Sequence, residues 1–245
     1  MLAYVNFMGV NLPSMCASVN IEEMTRSERE GPYHHGDLRN ALVRAAAELA
    51  ETGGPEAVTV RAAARRVGVT PTAAYRHFTN HEQLLGAAQE QAQQSLFDAM
   101  AETIKTFPPD ADAVTRLFAV GRGYIVFALR EPGLFRTAFC NSEQESSENW
   151  NSPAFDLLSK LLDELVEIGF TDPEHRPDAE FAAWSAVHGI ASLLIERALP
   201  EQDPEVRDLA IARALAVVER GLATGPKAAE IRGGTRHTAM PEAAG

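Results

Sequence analysis

A chain of 245 residues, 45% of them hydrophobic, is long enough to bury a sizeable core as one or two domains. Its 22 Lys and Arg against 34 Asp and Glu give a formal net charge of −12, which excludes a uniformly basic nucleic-acid coat and confines any phosphate contact to a local patch. Two isolated cysteines, Cys16 and Cys140, exclude a disulfide framework and fit a reducing cytoplasm, and no apolar run of 18 or more residues offers a helical membrane span.

Residues 1–30 read as an extension outside the fold. Met1–Val19 is fairly apolar but lacks the positively charged start of a signal peptide, so the segment is expected to be disordered, with Met24 a plausible true start of translation. An alanine-rich helix over Asp37–Thr52 opens the folded part.

The stretch Val58 to Leu85, VTVRAAARRVGVTPTAAYRHFTNHEQLL, is dense in helix punctuation. Thr59 can cap a helix over Val60–Val67, and Gly68, free to enter the left-handed region, ends it. Thr70 caps a second short helix with Pro71 at its first position, where a missing N–H costs nothing. Asn80 caps the next, with Gln83 completing a capping box. Two short helices across a tight turn form a helix-turn-helix unit, so residues 31–80 are expected to be a three-helix DNA-binding domain. Ala64, Val67, Val69 and Ala74 supply the seam. The exposed side then carries Thr70, Thr72, Ala73, Tyr75, Arg76 and His77, hydroxyls and a guanidinium for base edges or phosphates and a small Ala for a thymine methyl. Thr59 and Arg61 at the start of the first helix, and His81 after Asn80, complete the candidate contacts, while Arg65 and Arg66 fit a phosphate or a plain solvated face equally.

Charge distribution agrees with that placement. Gly31–His81 holds six Arg against four Asp or Glu and is +2, leaving −14 elsewhere. Six arginines without a lysine are modest, so tight DNA binding requires two copies of the domain.

From Asn80 onward the pattern is helical: Asn80–Thr106, stopped by Pro108-Pro109, then Asp112–Arg130, Leu134–Phe139, Pro153–Ile168, Pro177–Leu199 and Pro204–Ala223. Asn141–Ser152 is polar and acidic and reads as a mobile loop, and residues 225–245 read as a disordered tail. The expected fold class is all-α with about nine helices: the helix-turn-helix domain, then a helical ligand-binding and dimerisation domain over residues 81–224. The last two helices carry apolar stripes in which Val187, Ala191, Leu194 and Ile195, with Ala210, Ala214, Val217 and Val218, are candidates for a four-helix homodimer interface. The middle of the chain supplies aromatics for a pocket. Tyr124, Phe127, Phe135, Phe139, Trp184 and His188 are its candidate ligand contacts, with Phe118 and Phe155 as further wall.

The run from Thr59 to Phe78, ending Tyr75-x-His77-Phe78, resembles the DNA-binding segment of the tetracycline-repressor (TetR) family of transcriptional regulators, and Tyr33–Arg39 with Ala41–Ala50 is similar to the first helix of one branch. Ala183-Trp184-Ser-Ala-Val-His188-Gly189-Ile190 looks like the Trp-His-Gly signature in the regulatory half of some members, and Glu131-Pro-Gly-Leu-Phe135 also fits. The resemblance implies a homodimer on a palindromic or near-palindromic operator and a repressor that a small organic effector releases. Co-repression and activation occur on the same fold. His81 stands where many members place a phosphate-gripping lysine, which leaves a weaker or pH-dependent contact there.

Two other classes stand beside this reading. An enzyme is not expected: the chain has no Gly-rich phosphate loop, GxSxG elbow or HExxH, and neither cofactor nor metal is called for. A helical adaptor that binds protein would retain no DNA and would be indifferent to changes at Tyr75 and Arg76.

Overall fold

The computed structural model describes residues 4–7, 10–13, 38–140, 152–196 and 203–235. Ten α-helices lie among them: α1 Leu38–Gly53, α2 Val60–Val67, α3 Pro71–Tyr75, α4 His81–Lys105, α5 Ala113–Arg130, α6 Pro132–Ala138, α7 Pro153–Glu167, α8 Ala179–Ile195, α9 Pro204–Leu222 and α10 Ala228–Thr235. The fold is all-α, as its periodicity predicts, and no described helix is long and apolar enough to cross a membrane.

Local chemistry explains the boundaries. Thr59 Oγ1 accepts from Ala62 N–H, Thr70 Oγ1 from Ala73 N–H and Asn80 Oδ1 from Gln83 N–H, each an otherwise unpaired first-turn donor. Gln83 Oε1 reaches back to Thr79 N–H, closing the capping box. Asp112, Ser152 and Asp203 cap α5, α7 and α9 in the same way.

The first three helices bury an alanine-rich seam. Leu42, Ala46 and Ala50 of α1 meet Ala63 and Ala64 of α2, Ala74 of α3, and Phe78. Helix α4, about 37 Å long at 1.5 Å per residue, enters this cluster with Leu84, Leu85 and Ala88 and continues into the second half, where Leu96 and Met100 pack against α5. Helix α5 is buried over most of its length and is the centre around which α4, α6, α7, α8 and α9 are arranged.

Short α6 ties the two halves together. At Gly133 a Cβ would fall 1.9 Å from the Ala50 carbonyl oxygen and 2.4 Å from that of Glu51, so backbone of α6 rests directly on the last turn of α1. On its other side, Gln89 Nε2 donates to the Ala138 and Cys140 carbonyls and Gln93 Nε2 to Ala138, satisfying carbonyls at the α6 end that the helix leaves unpaired.

Three expectations need correction. The tail does not begin at residue 225: Gly225 N–H donates to Phe170 O, Lys227 N–H to Gly169 O, and Arg232 of α10 pairs with Glu219 of α9 at 2.9 Å, so the chain through Arg232 is docked. Small residues there suggest a loose tail, but Ala228 is buried against Phe170 and Leu222, where a small side chain is what fits. Residues 1–30 are not wholly without structure, since Tyr4–Phe7 pairs antiparallel with Val10–Pro13 in a ladder suited to Val5, Phe7 and Val10. Helix α8 starts at Ala179, two residues later than expected, because Asp178 takes a left-handed conformation at φ 59°. The predicted loop at Asn141–Ser152, apart from Ser152, and the end of the eighth helix at Leu199 lie outside the described residues.

Candidate nucleic-acid interface and ligand cavity

The helix-turn-helix is built as its punctuation requires. Gly68 sits at φ 80°, and Val69 N–H donates to Ala64 O, turning the chain sharply between α2 and α3. With Ala63, Ala64 and Ala74 buried, Thr70, Thr72, Tyr75, Arg76 and His77 are left exposed together. Ala73 is half-buried at the edge of that surface. Thr59, Arg61 and His81 are exposed at the openings of α2 and α4. Tyr75 is 40% exposed, a large aromatic with no core to fill. Two of the local arginines have partners of their own: Arg66 Nε bonds Glu48 Oε2 at 2.6 Å, and the Arg39 guanidinium lies 5.1 Å from the centre of the Phe78 ring.

The second half holds a cavity open to solvent between α4, α5, α7, α8 and α9. Among the candidate ligand contacts, Tyr124, Phe139 and Trp184 line it, as do Phe118 and Phe155. Phe127, Phe135 and His188 do not line it. Phe135 and His188 stack with centroids 5.3 Å apart behind Tyr124 and Phe139, and Phe127 is buried in the core.

A hydrogen-bonded relay crosses this aromatic layer. Trp184 Nε1–H donates to the Tyr124 hydroxyl at 2.9 Å, and that hydroxyl is 2.7 Å from His188 Nδ1. Burial pushes the Tyr124 phenol well above its ordinary value, despite the Trp184 bond, and holds His188 below its own. Tyr124 therefore stays protonated beside a neutral His188, and the imidazole tautomer decides which of the two donates across their 2.7 Å bond. Sequence reasoning places Trp184 and His188 on one face of α8 but misses the bond to Tyr124, 64 residues away from His188. It also misses Gln89 and Gln93, although two glutamines one turn apart on an otherwise apolar face are a visible sign of buried carbonyls to satisfy.

The dimer candidates divide. Ala191 is fully buried, Val187 and Val218 line the cavity, and Leu194 and Ile195 are half-buried against their own core. Ala210 and Val217 are exposed, with Ala214 half-buried beside them. The large apolar side chains exposed on α8 and α9 are Phe181, Leu193, Val206 and Val217, at 46–60%. Gly189 lies on the same exposed side of α8 as Phe181 and Leu193, and a Cβ there would meet nothing within 4 Å in its own chain.

Comparison with known proteins follows the division between the halves. Residues 42–88 match the family model described as bacterial regulatory proteins, tetR family, and residues 117–225 match the tetracyclin repressor-like C-terminal domain. YobS of Bacillus subtilis (strain 168), an uncharacterized HTH-type transcriptional regulator, is 23% identical over 174 residues, 71% of this chain and 87% of that protein. The nucleoid occlusion factor SlmA of Vibrio cholerae is 31% identical over 131 residues, covering 53% of this chain and 65% of SlmA. Among solved structures, a protein of unknown function from Rhodococcus sp. RHA1 superposes with a TM-score of 0.65 at 26% identity, covering 80% of this chain and all of that one.

Proposed function

The chain belongs to the TetR family of bacterial regulatory proteins, and from that premise we propose that it is a cytoplasmic repressor, released from a palindromic or near-palindromic operator by a small organic effector. Family members bind DNA and act as dimers. The observation that carries the reading is the single exposed surface formed by Thr70, Thr72, Tyr75, Arg76 and His77 above a wholly buried Ala63–Ala64–Ala74 seam. A helix presented in this way suits the major groove, where Arg76 and the hydroxyls reach base edges and phosphates.

Two copies are needed, because one domain offers few cations. The exposed stripe of Phe181, Leu193, Val206, Ala210 and Val217 is the surface that a second copy covers, and bare Gly189 allows the two α8 helices to approach closely. The interface is thus shifted around the helices from Val187, Ala191, Leu194 and Ile195. A two-fold dimer sets two α3 helices against successive major grooves, which calls for half-sites about one helical turn apart.

Release follows from shared walls. Helix α4 contributes both to the DNA-binding core and, through Gln93, Leu96 and Met100, to the cavity. Phe139, at the end of α6, also lines the cavity, while Gly133 of the same helix bears on α1. An effector that prefers one arrangement of these walls changes operator affinity by its differential binding energy.

The test is selection of bound fragments from a random DNA pool by the purified protein, read by sequencing. A recovered palindrome is expected. Absence of any enriched motif at low salt, with or without candidate effectors, would overturn the reading in favour of a protein-binding adaptor.

A further inference from the structure

The chemistry of the cavity wall limits what can enter it. Its lining side chains are mostly hydrocarbon, with Leu96, Met100, Leu117, Leu158 and Leu215 joined by aromatics at Tyr124, Phe139 and Trp184. The wall follows α5 from Val114 to Tyr124, about 15 Å of helix axis.

Each polar side chain among the described residues of that wall has at least one partner within the chain. Gln93 Nε2 donates to Ala138 O at 3.3 Å, and Ser152 Oγ accepts from Phe155 N–H at 3.3 Å. The Tyr124 hydroxyl takes the Trp184 N–H and faces His188 Nδ1. Glu219, the one charged side chain among the described residues of the wall, is paired with Arg232 of α10 at 2.9 Å.

A carboxylate entering this space would lose its water, find no cation among the described wall residues, and meet the like charge of Glu219. An ammonium group could share only Glu219, whose Oε1 already faces Arg232 Nε, and would lose the rest of its water against hydrocarbon walls. An ionised group moved from water without a new partner is strongly disfavoured, whereas apolar surface is favoured in proportion to its area. Resting on the reading of this cavity as the effector site, we propose that it admits uncharged, predominantly hydrocarbon ligands and rejects their carboxylate and ammonium analogues.

The experiment uses the full chain with N-phenyl-1-naphthylamine, an uncharged reporter whose emission rises in apolar surroundings. It is competed with 2-ethylnaphthalene, 2-naphthoate and 2-naphthylmethylammonium. Displacement by the hydrocarbon at a concentration at least tenfold below either ion is expected, and Leu158→Trp, which fills the space, should abolish reporter binding. Should Leu158→Trp not fold, judged by circular dichroism, Val218→Phe takes its place. Equal or better displacement by either ion, with binding still lost in the filled variant, overturns the proposal and leaves the cavity as effector site. Reporter binding that neither variant reduces, or no binding at all, removes the cavity as the site and overturns both readings.

Discussion

Replacing Gly133 by Ala tests the contact through which α6 bears on α1. The added methyl would lie 1.9 Å from Ala50 O and 2.4 Å from Glu51 O. A relaxed carbon–oxygen contact needs about 3.3 Å, so the two helices must part by about 1.4 Å. Both colliding oxygens belong to backbone in the last turn of α1, so no side chain can swing aside. Overpacking of this kind costs about 1–3 kcal/mol, and the backbone collision puts Gly133→Ala at the upper end. For a chain of this size each kcal/mol moves Tm by about 2–4 °C, which gives a fall of about 6–12 °C. Gly86→Ala is the matched control, for a Cβ there meets nothing within 4 Å. In the interior of α4 that change should stabilise by about 0.5–1 kcal/mol. Thermal unfolding at fixed protein concentration reads both. A Gly133→Ala protein melting within 1 °C of the parent would refute the direct seat of α6 on α1.

The other expectations concern DNA, assembly and pH. Arg76→Ala and Tyr75→Ala should each weaken operator binding by about 1–3 kcal/mol if they make good base or phosphate contacts; unchanged affinity in a gel-shift titration would remove them from the interface. Thr72→Ala should alter the selected sequence more than affinity for random DNA, and an identical selected motif would count against base readout. Val217→Glu places a charge on the exposed stripe of α9 and should convert a dimer to monomer in light scattering, whereas a dimer that persists would move the interface elsewhere. Burial lowers the His188 pKa, so below about 6.5 the unfolded chain protonates this residue first. Its contribution is therefore complete above that pH and is lost as pH falls toward the folded pKa. Tm should drop from pH 7.5 to 5.5 less steeply in His188→Gln, which cannot titrate but can still accept from Tyr124; equal slopes would exclude His188 as a source of the dependence.

Features set by near neighbours were legible in the sequence. Thr59, Gly68, Thr70, Asn80 and Gln83 act within four residues of themselves, so their types and spacing suffice to place α2, α3 and the start of α4. Features decided by packing were not. Helix α8 is apolar around most of its circumference, so periodicity could not say which side meets its own core, and Ala191 proved wholly buried while Phe181 and Leu193 face outward. Tyr124 looked like one pocket aromatic among several until the fold set its hydroxyl between Trp184 and His188. Gly133 stood out only as part of the Glu131-Pro-Gly-Leu-Phe135 segment, with no sign of its contact, because what makes it necessary is the carbonyls of Ala50 and Glu51 in another helix.

The ion pair between Arg66 and Glu48 has a consequence for how the protein searches a genome. Gly31–His81 carries six arginines and no lysine, and with Arg66 held by Glu48 and Arg39 lying over Phe78, fewer cations remain to displace counterions from a duplex. Affinity for random DNA is almost wholly this counterion term. A domain with so few cations is expected to show a shallow salt dependence on random DNA, which would leave discrimination between sites to base contacts.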